Sequence, residues 1–203
     1  MNSKNMIHPA TELRYISPSI GFGVFATKFI PQGTIVYVQD ALEIVLPANH
    51  PLLTADIYQP ILDKYSTVEK DGSRLLSWDI ARYVNHSCQS NALSTGYGFE
   101  VATRDIEPGE EITDDYGQFN LPYDMPCSCG HPNCRGSVRP SAFNTLVQQW
   151  DTQLNAALAR LNNEDQPLWR YLDQETQTAV TDDITSGTFR SVQTLHHPDD
   201  IAK

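Results

Sequence analysis

Three of the chain's four cysteines fall within one stretch, Cys127-Ser128-Cys129-Gly130-His131-Pro132-Asn133-Cys134, and the other is Cys88. Thiols at this spacing are metal-ligand chemistry, and structural zinc takes four tetrahedral ligands. Disulfides are the weaker account. Residues 1–10 lack the apolar segment of a secretion signal, so nothing points to an oxidising compartment. His131 sits inside the cluster as a rival fourth ligand, in which case Cys88 is a small buried hydrophobe.

Two further stretches concentrate polar groups. Arg82-Tyr83-Val84-Asn85-His86-Ser87-Cys88 ends on the isolated thiol, and Gly109-Glu110-Glu111-Ile112-Thr113-Asp114-Asp115-Tyr116-Gly117 leads adjacent carboxylates up to a tyrosine. Taken singly, His86 reads as a satisfied core histidine, Asn85 as a turn residue, Arg82 as a surface charge and Tyr116 as a core ring. Near the N-terminus, Gly21-Phe22-Gly23-Val24-Phe25-Ala26 carries a glycine pair. No third glycine or helical pattern follows it. A turn at residues 29–34 and the β-branched run at 35–38 come next, which disfavours a phosphate-cradling loop.

In this order and spacing the stretches resemble the SET-domain protein methyltransferases that carry a cysteine-rich post-SET tail, over roughly residues 12–138. The resemblance implies transfer of a methyl group from S-adenosylmethionine to a lysine side chain of a protein. It implies cofactor contacts from Gly21, Phe22, Gly23, Asn85, His86 and Tyr116, with Tyr116 also the catalytic residue where donor methyl and lysine amine meet. It makes Cys88 the fourth zinc ligand with Cys127, Cys129 and Cys134. The reaction is an in-line displacement, so alignment and electrostatics should carry much of the catalysis. The implied fold is mainly β with α: a SET β-clip-like arrangement of short strands, with a pseudoknot that joins the Asn85 and Tyr116 motifs.

Two departures from the family pattern stand out. Ser90 replaces a usual proline in a loop, with little expected consequence. Asp114 stands two residues before Tyr116, where many members carry Phe or Tyr and where the number of methyl groups that fit is set. Period-2 spacing puts both side chains on one face if the strand continues. A carboxylate there would hold lysine as ammonium unless it also took up the proton, or it could turn outward. Asp114 is thus a substrate-channel candidate, and the methylation state of the product does not follow.

The elements that must position these groups are mostly short strands. Residues 13–16, 35–38 and 42–46 read as strands, and Gly96-Tyr97-Gly98 turns a hairpin between 92–94 and 99–103. Residues 52–65 recur at helical spacing. Beyond Pro140, Phe143, Leu146, Val147, Trp150, Leu154, Ala157, Leu158 and Leu161 make an amphipathic helix of about 20 residues. Asp165-Gln166-Pro167 reads as the start of a second helix. The expected organisation is a SET domain over 12–120 with a variable insert at about 47–75, a zinc segment over 121–138, a helical hairpin over 139–185 and a weakly ordered tail over 186–203. The hairpin either completes the core or dimerises through Phe143, Leu146 and Trp150; a monomer is the favoured expectation.

With 25 acidic and 14 basic residues the net charge is −11, which disfavours direct DNA or RNA binding and favours a basic protein segment, histone-like or ribosomal. No apolar run of about 18 residues offers a membrane span. The expected location is intracellular and soluble, cytoplasmic with the nucleus as second candidate. The competing functional reading is a catalytically silent SET-like domain that binds peptides and is stabilised by zinc. A redox protein has little support, since no Cys-x-x-Cys pair exists.

Overall fold

β-branched and aromatic residues interrupted by frequent turns form short strands through the first two-thirds of the chain. The structure, a computed structural model, describes residues 6–197. In chain order the elements are β1 (Thr11–Ser17), β2 (Gly21–Ala26), β3 (Ile35–Val38), β4 (Ile44–Leu46), α1 (Gln59–Tyr65), β5 (Ser66–Val68), β6 (Arg74–Leu76), β7 (Asn85–His86), β8 (Ala92–Ser94), β9 (Phe99–Ala102), β10 (Glu111–Asp114), β11 (Met125–Pro126), β12 (Ser137–Val138), α2 (Phe143–Leu158) and α3 (Gln174–Ser186). The fold is mainly β with helices, as the sequence implies.

Among the described residues four small sheets result, in the orders β1-β2-β10-β7, β3-β9-β8, β4-β6-β5 and β11-β12. The functional consequence lies in the first. β10 pairs antiparallel with β2, matching Ile112 to Val24, and parallel with β7, matching Thr113 to Asn85 and Asp114 to His86. Two motifs almost thirty residues apart in the chain therefore run side by side. The period of β10 shows in its burial: Ile112 and Asp114 point inward while Glu111 and Thr113 are partly exposed.

Two apolar clusters hold these sheets. Ile7, Val24, Ala26, Ile30, Val36, Ala92, Ala102, Ile106 and Ile112 pack between the first two sheets. On the far side, Phe143, Trp150, Leu154, Ala157 and Leu158 of α2 meet Ile35, Val38, Leu93, Phe99 and Val101. Burying a side chain of this size contributes about 1.5–3 kcal/mol each, so the C-terminal helices complete the core. Phe143 and Trp150 are only 3% and 1% exposed within one chain, which removes them as a dimer surface.

One expectation needs correction. The second long helix begins at Gln174, where Asp173 accepts a hydrogen bond from the Thr176 amide; Asp165 caps nothing of that length, and residues 169–171 make only a single turn. Gln166 instead accepts from the Ile35 amide and donates to the Gly33 and Leu161 carbonyls, stitching the entry of β3 to the turn after α2. Within the segment expected as a weakly ordered tail from residue 186, a further turn at Val192–Leu195 folds back and buries Val192. Asp151 of α2 holds it, accepting from the Ser191 hydroxyl and the Val192 amide. The remainder of that tail lies outside the described residues. Among the described residues, no helix is long and apolar enough to cross a membrane.

Candidate active site and zinc centre

β11 and β12 pair Met125 with Val138 and Pro126 with Ser137, closing a loop that returns every thiol of residues 127–134 to one place. The Sγ atoms of Cys88, Cys127, Cys129 and Cys134 all lie within 4.8 Å of one another. Cys127 Sγ is 3.7 Å from Cys88 Sγ and 3.6 Å from Cys134 Sγ. A tetrahedron with Zn–S of ~2.3 Å has edges of about 3.8 Å, whereas a disulfide needs ~2.05 Å. Four thiols at tetrahedral-edge spacing fit structural zinc and no cystine. His131, the rival ligand, lies outside this group and accepts from the Asn133 amide through Nδ1. It is Cys88, at the end of the β7 motif, that ties the loop to the body.

Around β7 the polar groups interlock. Asn85 donates through Nδ2 to the Phe22 carbonyl, 3.0 Å away, and to Glu111 Oε1 at 2.7 Å. The glycine pair of β2 serves this contact. Gly21 has φ +89°, which other residues rarely adopt, and a Cβ on Gly23 would stand 2.4 Å from Glu111 Oε1 and 3.0 Å from Asn85 Nδ2. Phe22 is 43% exposed and Tyr15 60%, and the rings of Tyr15, Phe22, Tyr83 and Tyr65 follow one another edge to face along this surface.

The His86 ring is engaged inside the protein. Its Nδ1 accepts from the Tyr116 amide at 3.2 Å, and its Nε2 is 3.4 Å from Cys88 Sγ. Nδ1 also stands 3.2 Å from the Asp114 carbonyl; in the tautomer whose Nδ1 accepts, the proton sits on Nε2 and points at the sulfur, the arrangement suited to a thiolate. Burial lowers the His86 pKa, keeping the ring neutral despite Asp115 nearby.

Asp115 joins three parts of the chain. It caps the single turn Tyr116–Gln118 by accepting from the Gly117 amide at 3.0 Å. Oδ2 accepts from the Trp150 indole of α2 at 3.0 Å, and the Arg135 guanidinium of the cysteine loop pairs with Oδ1, the oxygen that also caps the turn. Arg135 also turns its amide and Nε toward Cys88 Sγ, each at 3.4 Å. Sequence reasoning missed Arg135, Trp150 and Glu111 in these roles. Arg135 adjoins the last cysteine, the one available signal; Trp150 looked like an ordinary stripe residue.

Tyr116 Oη donates to the Val84 carbonyl at 2.7 Å. Burial, with the carboxyls of Asp114, Glu100 and Glu111 around it, raises the phenol's pKa well above its ordinary value. Tyr116 is therefore a hydrogen-bond donor and not a phenolate base. β10 stops at Asp114, so the strand does not continue to Tyr116 as the period-2 argument assumed; both residues nevertheless line one groove of about 190 Å³. Asp114 is 1% exposed, which excludes an outward turn. Asp63, Glu69 and Glu100 add further acidic groups to the groove walls, against Lys64 and Arg82.

Residues 21–117 match the family model of the SET domain. Among curated proteins, the chain is 33% identical over 130 residues to the histone-lysine N-methyltransferase TRX1 of Oryza sativa subsp. japonica, covering 58% of this chain and 13% of that protein. It is 30% identical over 149 residues to the histone-lysine N-methyltransferase ash1 of Drosophila melanogaster, covering 66% of this chain and 6% of that one. The chain thus spans a small part of the length of these relatives. Among solved structures, the methyltransferase domain of human histone-lysine N-methyltransferase SETMAR aligns with a TM-score of 0.43 at 21% identity, over 66% of this chain and 58% of that chain.

Proposed function

We propose that this protein transfers a methyl group from S-adenosylmethionine to the side-chain amine of a lysine in a basic protein segment, and that zinc bound by Cys88, Cys127, Cys129 and Cys134 holds the site together. The observation that carries this reading is the parallel pairing of β7 with β10. It sets Asn85 beside Thr113 and His86 beside Asp114, and Asp114 and Tyr116 line a groove whose walls also bear Asp63, Glu69 and Glu100.

The chemistry of the residues fits the donor. Phe22 and Tyr15 offer exposed aromatic faces to a purine, and the Glu111 carboxylate held by Asn85 offers an acceptor to an ammonium. When bound, the donor supplies an electrophilic methyl group on a sulfonium. Gly21, Phe22, Gly23, Asn85 and His86 form or support this pocket, His86 by fixing the Tyr116 backbone. Tyr116 directs its hydroxyl toward the junction with the groove and orients the reacting amine. Acidic groove walls favour a Lys/Arg-rich substrate of the histone-tail kind, and the compartment follows the protein that carries it. We read 12–120 as the SET unit with an insert at 47–75, 121–138 as the zinc segment and 139–185 as a helical extension that closes the core.

Calorimetric titration of S-adenosylmethionine into zinc-loaded protein tests the pocket. Binding that Asn85→Ala weakens at least tenfold, with zinc content unchanged, supports the reading. A folded, zinc-loaded wild type that binds no donor would leave a peptide-binding module in its place.

A further inference from the structure

A lysine reaches a protein as an ammonium ion, and its nitrogen cannot attack until one proton leaves. Tyr116 keeps its own proton, and the His86 ring is enclosed and hydrogen-bonded at both nitrogens. Of the groove's carboxyls, Asp63 is exposed and paired with Arg74, and Glu69 is occupied by Thr67 on the outer wall. Glu100 and Asp114 remain. Glu100 projects from β9, opposite Ser94 and Tyr37, and Asp114 ends β10; both face the groove beside Tyr116.

Their arrangement is unusual. Asp114 Oδ1 accepts from the Asp115 amide, while Oδ2 is buried and meets no donor among the described residues. Glu100 lines the same groove, and its carboxyl and that of Asp114 act on each other as side-chain hydrogen-bond partners. Two carboxyls can make that bond only if a proton lies between them, since an ionised carboxylate has no donor. We propose that Glu100 and Asp114 form a proton-sharing carboxyl pair that takes the proton from the substrate lysine's ammonium in the groove beside Tyr116. The inference rests on the methyltransferase reading.

With one shared proton the pair carries a single negative charge. It attracts the ammonium, and its free oxygen accepts the proton as the N–H bond breaks and an O–H bond forms. The lone pair left on nitrogen then forms the N–C bond as the methyl leaves a sulfonium donor, whose C–S electrons stay on sulfur. Positive charge ends on the methylated nitrogen, and the pair's extra proton passes to water through the open groove. Burial supports the assignment: it pushes Glu100 up to about 7 and Asp114 well above the carboxylate range. The other titratable groups facing the pair are Tyr37 and Tyr116, held protonated by burial, and Asp115, pinned by Arg135.

The test combines a spectrum with kinetics. Zinc-loaded protein without ligands should show, at about pH 7, the infrared carbonyl band of a protonated carboxyl, which Asp114→Asn with Glu100→Gln abolishes. Either amide substitution supplies an N–H to the other carboxyl, so the single variants should melt no lower than wild type at about pH 8. With donor and the best basic lysine peptide both saturating, each single variant should lose on the order of 10²–10⁴ in kcat, with KM within about threefold. Wild type should lose rate as pH falls below about 7, and the variants should lack that limb. Absence of the band at neutral pH overturns the pair. A band accompanied by wild-type kcat and pH profile in both variants overturns its catalytic role while leaving the methyltransferase reading intact. A wild type that binds no donor overturns both.

Discussion

Replacing Trp150 with phenylalanine isolates the junction on which the site depends. In the native protein the indole N–H donates to Asp115 Oδ2 at 3.0 Å, with Trp150 1% and Asp115 4% exposed. Phenylalanine keeps a ring against Phe143 and Gly117, which the indole touches closely, but leaves that carboxylate oxygen without its donor. Loss of a hydrogen bond to a buried charged group costs about 1.5–3 kcal/mol, and the smaller ring leaves a void worth roughly 1 kcal/mol more. The expected destabilisation is about 3 kcal/mol, or ~6–12 °C in melting temperature for a chain of this size. Thermal unfolding in excess zinc measures it, so that metal loss does not contribute. A double-mutant cycle with Asp115→Asn should return a coupling of about 1–2 kcal/mol. A Trp150→Phe variant that melts within about 2 °C of wild type would refute the claim that Asp115 needs this donor. Because Asp115 also caps the turn that carries Tyr116, kcat should fall in a variant that remains folded at the assay temperature.

Chelation should release zinc and lower both melting temperature and methyl transfer, and Cys129→Ser should reproduce the effect; an unchanged melting temperature after complete chelation would contradict a structural metal. Gly23→Ala forces a Cβ onto Glu111 and Asn85, and should weaken donor binding at least tenfold without altering zinc content. His8 is held at about 4 by burial, against an ordinary 6.5. The unfolded chain takes a proton at this residue first, so the stability it confers is full above about pH 6.5 and is lost as pH falls toward 4. At ~1.36 kcal/mol per pH unit that is about 3 kcal/mol, visible as a flatter urea-stability profile in His8→Gln; parallel profiles would contradict it.

Much of the site was legible because its chemistry is carried by residue type. Four cysteines with metal spacing leave few arrangements, and the order of the Asn85, Tyr116 and cysteine stretches is informative without coordinates. The α2 stripe was readable for the same reason, since Phe143, Trp150, Leu154 and Leu158 recur at the helical period. What escaped depends on meetings across the chain. Asp165 looks like a helix cap, and only the packing of Gln166 on β3 decides against it. Val192 sits in a polar stretch with no period, yet Asp151 anchors its turn. Glu100 belongs to a hairpin strand with no motif to mark it; the end of β10 beside it makes it part of the groove.

Transfer itself tests the central claim most directly. Zinc-loaded protein, methyl-labelled S-adenosylmethionine and an array of lysine peptides spanning basic, neutral and acidic sequences should yield label on lysine in the basic peptides. Tyr116→Phe, which loses only the hydroxyl that donates to the Val84 carbonyl, should reduce the rate by at least tenfold while still binding the donor. Label confined to neutral or acidic peptides would contradict the substrate class. Donor binding without label on any lysine peptide would contradict the assignment of lysine methylation.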